Sequence, residues 1–248
     1  MHLKIRNLKK SFDQTLVLND VNFDINKGEI IAVLGRSGCG KSTMLRCING
    51  LEKIDSGEIY LNDELITKPG SSYGDWIEVR KKVGMVFQSY DLFPHMTVLD
   101  NVILGPMRVE KRSKKEATEE ALKILERVGL TEKQSSYPRE LSGGQKQRVA
   151  ICRALCMNPE IILFDEVTAA LDPEMVREVL DVIKGLKNQG LTLIIVTHEM
   201  EFAEKVADKI VFMENGKIIE VNTPDKFFSA PETIEAKKFL NINQDFVL

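Results

Sequence analysis

Residues 35–42, Gly-Arg-Ser-Gly-Cys-Gly-Lys-Ser, have the types and spacing needed to hold phosphate. They follow an apolar run, Ile30–Leu34, and open a helical pattern over about Lys41–Asn49. That strand-loop-helix context gives the glycine spacing its meaning. Gly38 and Gly40 let the backbone curl so that successive N–H groups face one way. The helix beginning near Lys41 adds its positive end. In such a loop Lys41 would reach the β- and γ-phosphates, Ser42 would ligate Mg²⁺ and Thr43 would donate to the α-phosphate. Gly35, Ser37 and Cys39 complete the cradle.

Three more sites carry groups suited to phosphate chemistry. The apolar strand Ile161-Ile162-Leu163-Phe164 ends on Asp165-Glu166. There Asp165 would hold Mg²⁺, directly or through water, and Glu166 would polarise an attacking water as general base. By itself such a pair is as readily a strand cap. His198 closes the polar triplet Val196-Thr197-His198 after another apolar strand; it either contacts the γ-phosphate and the water or is structural. Gln88, after Val86-Phe87, is equally open. Leu141-Ser142-Gly143-Gly144-Gln145 precedes a helix, and a helix start with a hydroxyl and bare N–H groups is an anion site or a simple cap.

The elements that must position these residues alternate between strand and helix. Leu3, Ile5 and Leu8 against Lys4, Arg6 and Lys9, and then Val17–Ile25, read as half-exposed antiparallel strands. A turn at Ser56-Gly57 leads to a strand over Glu58–Leu61, and Lys68–Asp75 reads as a surface loop. Helical patterning dominates 97–158, with Ala121, Leu122, Leu125 and Val128 on one stripe ended by Gly129. A helix from near Gly143 stops before Pro159. Strands over Ile161–Phe164, Leu191–Val196 and Ile210–Met213 then alternate with helices over about Pro173–Asn188 and Met200–Ala207. This pattern implies an α/β fold: a mainly parallel sheet flanked by helices, with an antiparallel β subdomain at the N-terminus and an inserted helical subdomain. The expected division of the single domain is 1–88 with 159–248 as core and 89–158 as helical subdomain.

Composition narrows the classes. The 248 residues are 43% apolar and 29% charged with a net charge of −3, so no overall basic field points to nucleic acid. The richest basic run, Arg108 to Lys115, contains Glu110 and reads as a solvated loop and helix start. No apolar run approaches the roughly 18 residues of a membrane-spanning helix, and the first residues show no signal peptide. Cys39, Cys47, Cys152 and Cys156 form no CxxC pair; the last two, a helical turn apart, read as reduced helix residues. Together these features read as a soluble cytoplasmic chain.

The glycine loop, Gln88, Leu141 to Gln145, Asp165-Glu166, Leu171-Asp172 and His198 occur in the order seen in ATP-binding cassette (ABC) ATPases, and the chain resembles that family over nearly its whole length. The resemblance implies a P-loop NTPase core. Lys41 and Ser42 then belong to Walker A, Gln88 to the Q-loop and a Mg²⁺ ligand, and Asp165 with Glu166 to Walker B. Leu171-Asp172 matches the D-loop, and His198 the switch histidine. Phe12 stands where an aromatic stacks on adenine, although a buried core phenylalanine is the competing reading. The resemblance also assigns Ser142, Gly143, Gly144 and Gln145 to the γ-phosphate bound by the opposite subunit, so that two chains share two ATP in a closed two-fold homodimer. Two positions depart from the family: Val167 where Pro is usual after the Walker B glutamate, and Ala169 where the D-loop often has Ser. Neither removes a phosphate or metal ligand.

Finer similarity points to the polar amino acid uptake group. It lies in Ile48-Asn49-Gly50-Leu51-Glu52, Leu104-Gly105-Pro106, Thr197-His198-Glu199-Met200, Phe202-Ala203 and Val206-Ala207-Asp208. It implies an ATPase subunit peripheral to the cytoplasmic face of the inner membrane. Its partners would be a second ATPase subunit, membrane permease subunits that meet the segment Ser89 to Asn101, and, indirectly, a substrate-binding protein. Leu92, Phe93 and Met96 suit that contact or the core. Arg148 and Arg153 lie on the signature helix as it runs back toward the Walker B strand, a route for coupling. A DNA-repair or chromosome-maintenance ATPase shares these motifs but would insert a long coiled coil after Walker A. A small-molecule kinase shares the glycine loop but needs neither Leu141–Gln145 nor His198.

Overall fold

The structure, a computed structural model, describes residues 1–169, 171–187 and 189–244. In chain order, strands β1 (Leu3–Phe12), β2 (Thr15–Ile25) and β3 (Ile30–Leu34) lead to helix α1 (Lys41–Ile48). Strands β4 (Ser56–Leu61) and β5 (Glu64–Thr67), helix α2 (Tyr73–Lys82) and strand β6 (Val83–Phe87) follow. The helical stretch contains α3 (Val98–Val109), α4 (Lys114–Arg127) and α5 (Gly143–Leu155). Then come β7 (Ile161–Asp165), α6 (Pro173–Lys187), β8 (Thr192–Val196) and α7 (Met200–Val206). The chain continues through β9 (Lys209–Glu214), β10 (Lys217–Asn222), α8 (Pro224–Ser229) and α9 (Ile234–Gln244). The expected end of α6, Asn188, lies outside the described residues. Among those described, no helix is long and apolar enough to cross a membrane.

The chain forms two compact units, one of Met1–Arg80 with Gly190 onward, the other Lys81–Gln189. In the first, an antiparallel sheet runs β2-β1-β4-β5, and β10-β9-β3-β8 lie side by side with β3 parallel to both β8 and β9. All five residues of β3 and of β8 are buried. Short runs of branched residues covered on both faces are what a parallel sheet requires. Phe212 of β9 anchors the C-terminal helices, its ring centroid 5.8 Å from Phe227 and 5.1 Å from Phe239.

In the second unit β6 pairs in parallel with β7, and Phe87 is in register with Asp165. The helical core gathers Val98 and Val102 of α3, Ala121 and Leu125 of α4, and Val149 and Cys152 of α5. Ser113 and Glu116 close a capping box on α4, and the Thr97 hydroxyl accepts from Asp100 N at the start of α3.

Three differences from the sequence pattern have physical causes. Helix α2 starts inside the stretch read as a loop, because Ser72 and Asp75 exchange hydrogen bonds at its start and Trp76 packs on Gly50. A Cβ on Gly50 would lie 1.8 Å from the Trp76 ring, so the glycine makes room for it. Strand β5 is four residues long, with only its last two buried, too few to show a period. Helix α3 continues past Pro106, whose ring is buried in its last turn.

The C-terminal helix is tied to β10 by one carboxylate. Glu220, 4% exposed, accepts from Glu232 N (3.0 Å), Thr233 N (3.0 Å), Thr233 Oγ1 (2.9 Å) and Asn222 Nδ2 (2.9 Å). Burial pushes its pKa up, but these donors outweigh burial and hold it below the ordinary 4.5. A depressed carboxylate contributes stability that is full above its unfolded pKa and is lost as pH falls through the folded value. Glu220→Gln should therefore lower stability by about 1–3 kcal/mol at pH 7, with the gap shrinking toward pH 3. Urea midpoints at both pH values check this; an equal gap at each would exclude a charge-dependent tie.

Candidate nucleotide site

In the first unit the glycine loop leaves β3 and enters α1. The tip, Arg36, Ser37 and Gly38, is exposed, while Cys39, Gly40 and Lys41 are buried. A Cβ on Gly35 (φ +150°) would lie 2.2 Å from the Met213 carbonyl oxygen of β9, so the loop begins where no side chain fits. Gly38 (φ +79°) faces open space and is set by its backbone conformation alone. Lys41, 4% exposed, donates from Nζ to the carbonyls of Gly35 (2.8 Å) and Arg36 (3.0 Å), which folds its ammonium into the curl. No side chain caps the N-terminus of α1, whose N-cap is Gly40. Glycines where a Cβ would clash, an uncapped helix start and a buried ammonium in the curl together fit a polyphosphate.

Register decides what stands beside this loop in the same unit. Val33 pairs in parallel with Val196, so Gly35 and Thr197-His198 emerge from the same end of adjacent strands. Ligands of open α/β sheets bind at that carboxyl end. Thr197 is buried and its hydroxyl accepts from Glu199 N (3.0 Å), a tight turn that leaves the His198 residue exposed. Phe12, at the end of β1, is 41% exposed and so is not a core residue; the Lys10 ammonium stands 4.7 Å from its ring centroid.

The second unit repeats the logic with β6 and β7. Because Phe87 pairs with Asp165, Gln88 and Glu166 leave the sheet side by side. Asp165 is buried at 6% exposure, Glu166 is half-buried and Gln88 exposed. Glu166 has φ +50°, and its carbonyl accepts from Ala169 N (3.1 Å), so the chain turns sharply just after the carboxylate pair. Val167 is buried and Ala169 exposed.

Ser142 is the N-cap of α5. Its hydroxyl accepts from Gln145 N (3.3 Å), and Gln145 Oε1 accepts from Ser142 N (3.1 Å). This box, worth about 1 kcal/mol, steadies a helix that starts on two glycines. Those glycines are there for contact: a Cβ on Gly143 would lie 3.0 Å from Leu171, and one on Gly144 3.0 Å from the Met175 Cβ. The start of α5 thus packs directly against the Leu171-Asp172 turn and the first turn of α6.

Several residues that position the site were not singled out by motif. Gln147, fully buried, donates from Nε2 to the Phe87 carbonyl (3.2 Å), bracing the residue before Gln88. Asn101, also fully buried, binds the backbone of Phe93, Met96 and Thr97. Both are polar side chains inside apolar helical stripes, a pattern visible in sequence. The two arginines of α5 both engage backbone carbonyls. Arg148 donates to the Val128 carbonyl (2.9 Å) and to Glu178 (3.0 Å). Arg153 reaches the carbonyls of Asp91 (2.5 Å) and Tyr90 (3.2 Å), so the contact runs to the segment after Gln88. In that segment Leu92 packs on the helical core, Met96 is half-buried and Phe93 is 41% exposed.

Geometry and motifs define a nucleotide-binding ATPase cassette, and comparison with known proteins agrees. The profile of the ABC transporter family matches residues 18–169, and the chain belongs to that family. It is 52% identical to the glutamate transport ATP-binding protein GluA of Corynebacterium efficiens, over 96% of this chain and 97% of that one. It is also 52% identical to the arginine transport ATP-binding protein ArtM of Bacillus subtilis, over 96% and 98%. Among solved structures it is similar to a dimeric post-hydrolysis state of the ATP-binding cassette MJ0796 bound to ADP and Pi (TM-score 0.81, 33% identity, 90% of this chain and 98% of that one). It is likewise similar to CbiO1 of Clostridium perfringens, part of the transporter complex CbiONQ (TM-score 0.83, 30% identity, 98% and 95%).

The four thiols are buried. Burial raises the pKa of each, that of Cys47 to about 12 and that of Cys156 to about 11, with Cys39 and Cys152 also displaced upward. Thiolate is the reacting form, so Ellman's reagent at pH 8 should find no fast thiol in the native protein and four after denaturation in urea. A thiol reacting at the rate of free cysteine would show that the loop or helix carrying it opens in solution.

Proposed function

We infer that the chain is the ATP-hydrolysing subunit of an importer for a polar amino acid, working as a dimer with a separate permease. The observation that carries this reading is a complete set of phosphate-handling residues in a chain about half identical, over nearly its whole length, to amino acid transport ATP-binding proteins. Relatives named for an acidic and for a basic amino acid are equally similar, so the reading stops at the substrate class.

In this reading each motif has its own role. Phe12 stacks on adenine with its exposed face. The backbone of Gly35, Ser37, Gly38, Cys39 and Gly40, with Thr43, cradles the phosphates at the start of α1. Lys41 exchanges its carbonyl partners for the β- and γ-phosphates. Ser42, Asp165 and Gln88 would hold Mg²⁺, which when bound screens the phosphate charge. Glu166 accepts the proton of the attacking water, and His198 orients that water and the γ-phosphate. Ser142, Gly143, Gly144 and Gln145 present the start of α5 to the γ-phosphate on the partner subunit. One chain thereby supplies half of each of two sites, and two ATP close the dimer.

In this reading residues 89–158 form the subdomain that carries the signature, and Ser89 to Asn101 meet the permease. The subunit sits on the cytoplasmic face of the inner membrane, held by its partners. A substrate-binding protein on the far side selects the cargo.

Glu166→Gln should cut ATP turnover by at least about a hundredfold, the usual worth of a general base, while ATP drives the variant into a long-lived dimer on gel filtration. Turnover at the wild-type rate would remove Glu166 from the base role. Separately, mixing Ser142→Arg subunits with Lys41→Ala subunits should restore one composite site. Activity that stays at the level of the separate variants at every mixing ratio would exclude a shared site.

A further inference from the structure

The backbone of Tyr90–Thr97 forms neither helix nor strand, yet two side chains from outside it hold it at both ends. At the first end Tyr90 and Asp91 both have left-handed backbones (φ +60° and +50°), a region costly for residues with a Cβ. Arg153 of α5 gathers their two carbonyls, and its guanidinium stands 6.0 Å from the centroid of the Phe93 ring. At the other end Asn101 of α3 accepts from Phe93 N (2.8 Å) and donates to the carbonyls of Phe93 (3.1 Å), Met96 (3.2 Å) and Thr97 (2.9 Å). Between these anchors Phe93, Pro94 and His95 stand exposed.

The chemistry of each anchor is specific. Position 101 is completely buried between Val98 and Val102, where leucine would pack more cheaply; the amide is tolerated there because both its oxygen and its nitrogen are engaged. Aspartate, of the same shape, would turn a carboxylate toward three carbonyls. Arg153 offers a planar fork that spans two carbonyls at once, which a lysine cannot do.

We propose that Asn101 and Arg153 are positioning residues for coupling, holding Tyr90–Thr97 as a stiff, preformed tip. Displacement of Phe93–His95 by the permease then reaches Gln88 at one end and α5 at the other instead of being absorbed in the loop. This inference rests on the reading of Ser89 to Asn101 as the permease-facing segment.

Hydrogen exchange of the purified subunit tests the clamp without any partner. In Asn101→Leu the amides of 90–97 should exchange at least about tenfold faster than in wild type, with the glycine loop unchanged. ATPase of the isolated Asn101→Leu subunit should stay within about twofold of wild type, while the extra turnover gained on reconstitution with the permease falls by about tenfold or more. A merely structural role would lower both rates together. Arg153→Lys should loosen 90–93 in the same way, and it carries the test if Asn101→Leu does not fold. Unchanged exchange in 90–97, or full permease stimulation despite a loosened segment, would overturn the proposal. If the permease does not stimulate even the wild type, the reading of the segment fails, and the exchange data still decide the clamp.

Discussion

The Lys41 ammonium, folded into the curl of its own loop, is the interaction on which the nucleotide half of the molecule depends. A cation at 4% exposure is costly unless oxygens surround it. Here the loop carbonyls of Gly35 and Arg36 supply them. Gly35 itself presses against the Met213 carbonyl where a Cβ cannot fit. That contact requires β9 to lie beside β3, and β3 is buried on both faces. The apolar strands are thus the condition for holding a charge, and the same curl that shelters the ammonium presents the amides of an uncapped helix start. A phosphate would enter a place whose positive groups are already oriented, so little reorganisation is needed on binding.

The second unit solves the opposite problem, holding carboxylates and an irregular segment at a sheet edge. The register of Phe87 with Asp165 puts Gln88 beside Glu166, and α5 then fastens the region from behind. Gln147 takes the Phe87 carbonyl, and Arg153 takes those of Tyr90 and Asp91. The start of the same helix is pinned on the Leu171 turn and on Met175 by two glycines. A single helix therefore touches the signature, the turn after the carboxylates and the segment after Gln88. One helix thus joins these three places through packed side chains rather than through solvent-exposed loop.

Much of this was legible in sequence where spacing itself is the signal. The glycine loop, the strand that ends on Asp165-Glu166 and the capped start at Ser142 are patterns of adjacent residues, and each lies on its expected element. What failed to show depends on contacts between distant residues. Helix α2 hides in a polar stretch because its anchor is the fit of Trp76 over Gly50, some 26 residues away. Helices α8 and α9 are fixed by Glu220 and by the Phe212 cluster, neither of which has a period. The partners of Arg153 stay hidden for a similar reason: position on a helix gives a face, and only the fold shows that this face meets the backbone of Tyr90 and Asp91.

Left-handed backbone at side-chain-bearing residues recurs beyond the ends of β6 and β7. Tyr90, Asp91 and Glu166 all occupy the left-handed region, Glu166 directly after β7 and the other two three and four residues after the end of β6. Such a conformation costs about 1–2 kcal/mol for a residue with a Cβ, and glycine would adopt it freely. At Tyr90 and Asp91 the cost is offset by the Arg153 fork. At Glu166 the turn to Ala169 fixes the backbone, but a turn alone would favour glycine or asparagine over glutamate. Glutamate is not the residue such a turn selects, which fits the base role proposed for its carboxylate beside the buried Asp165.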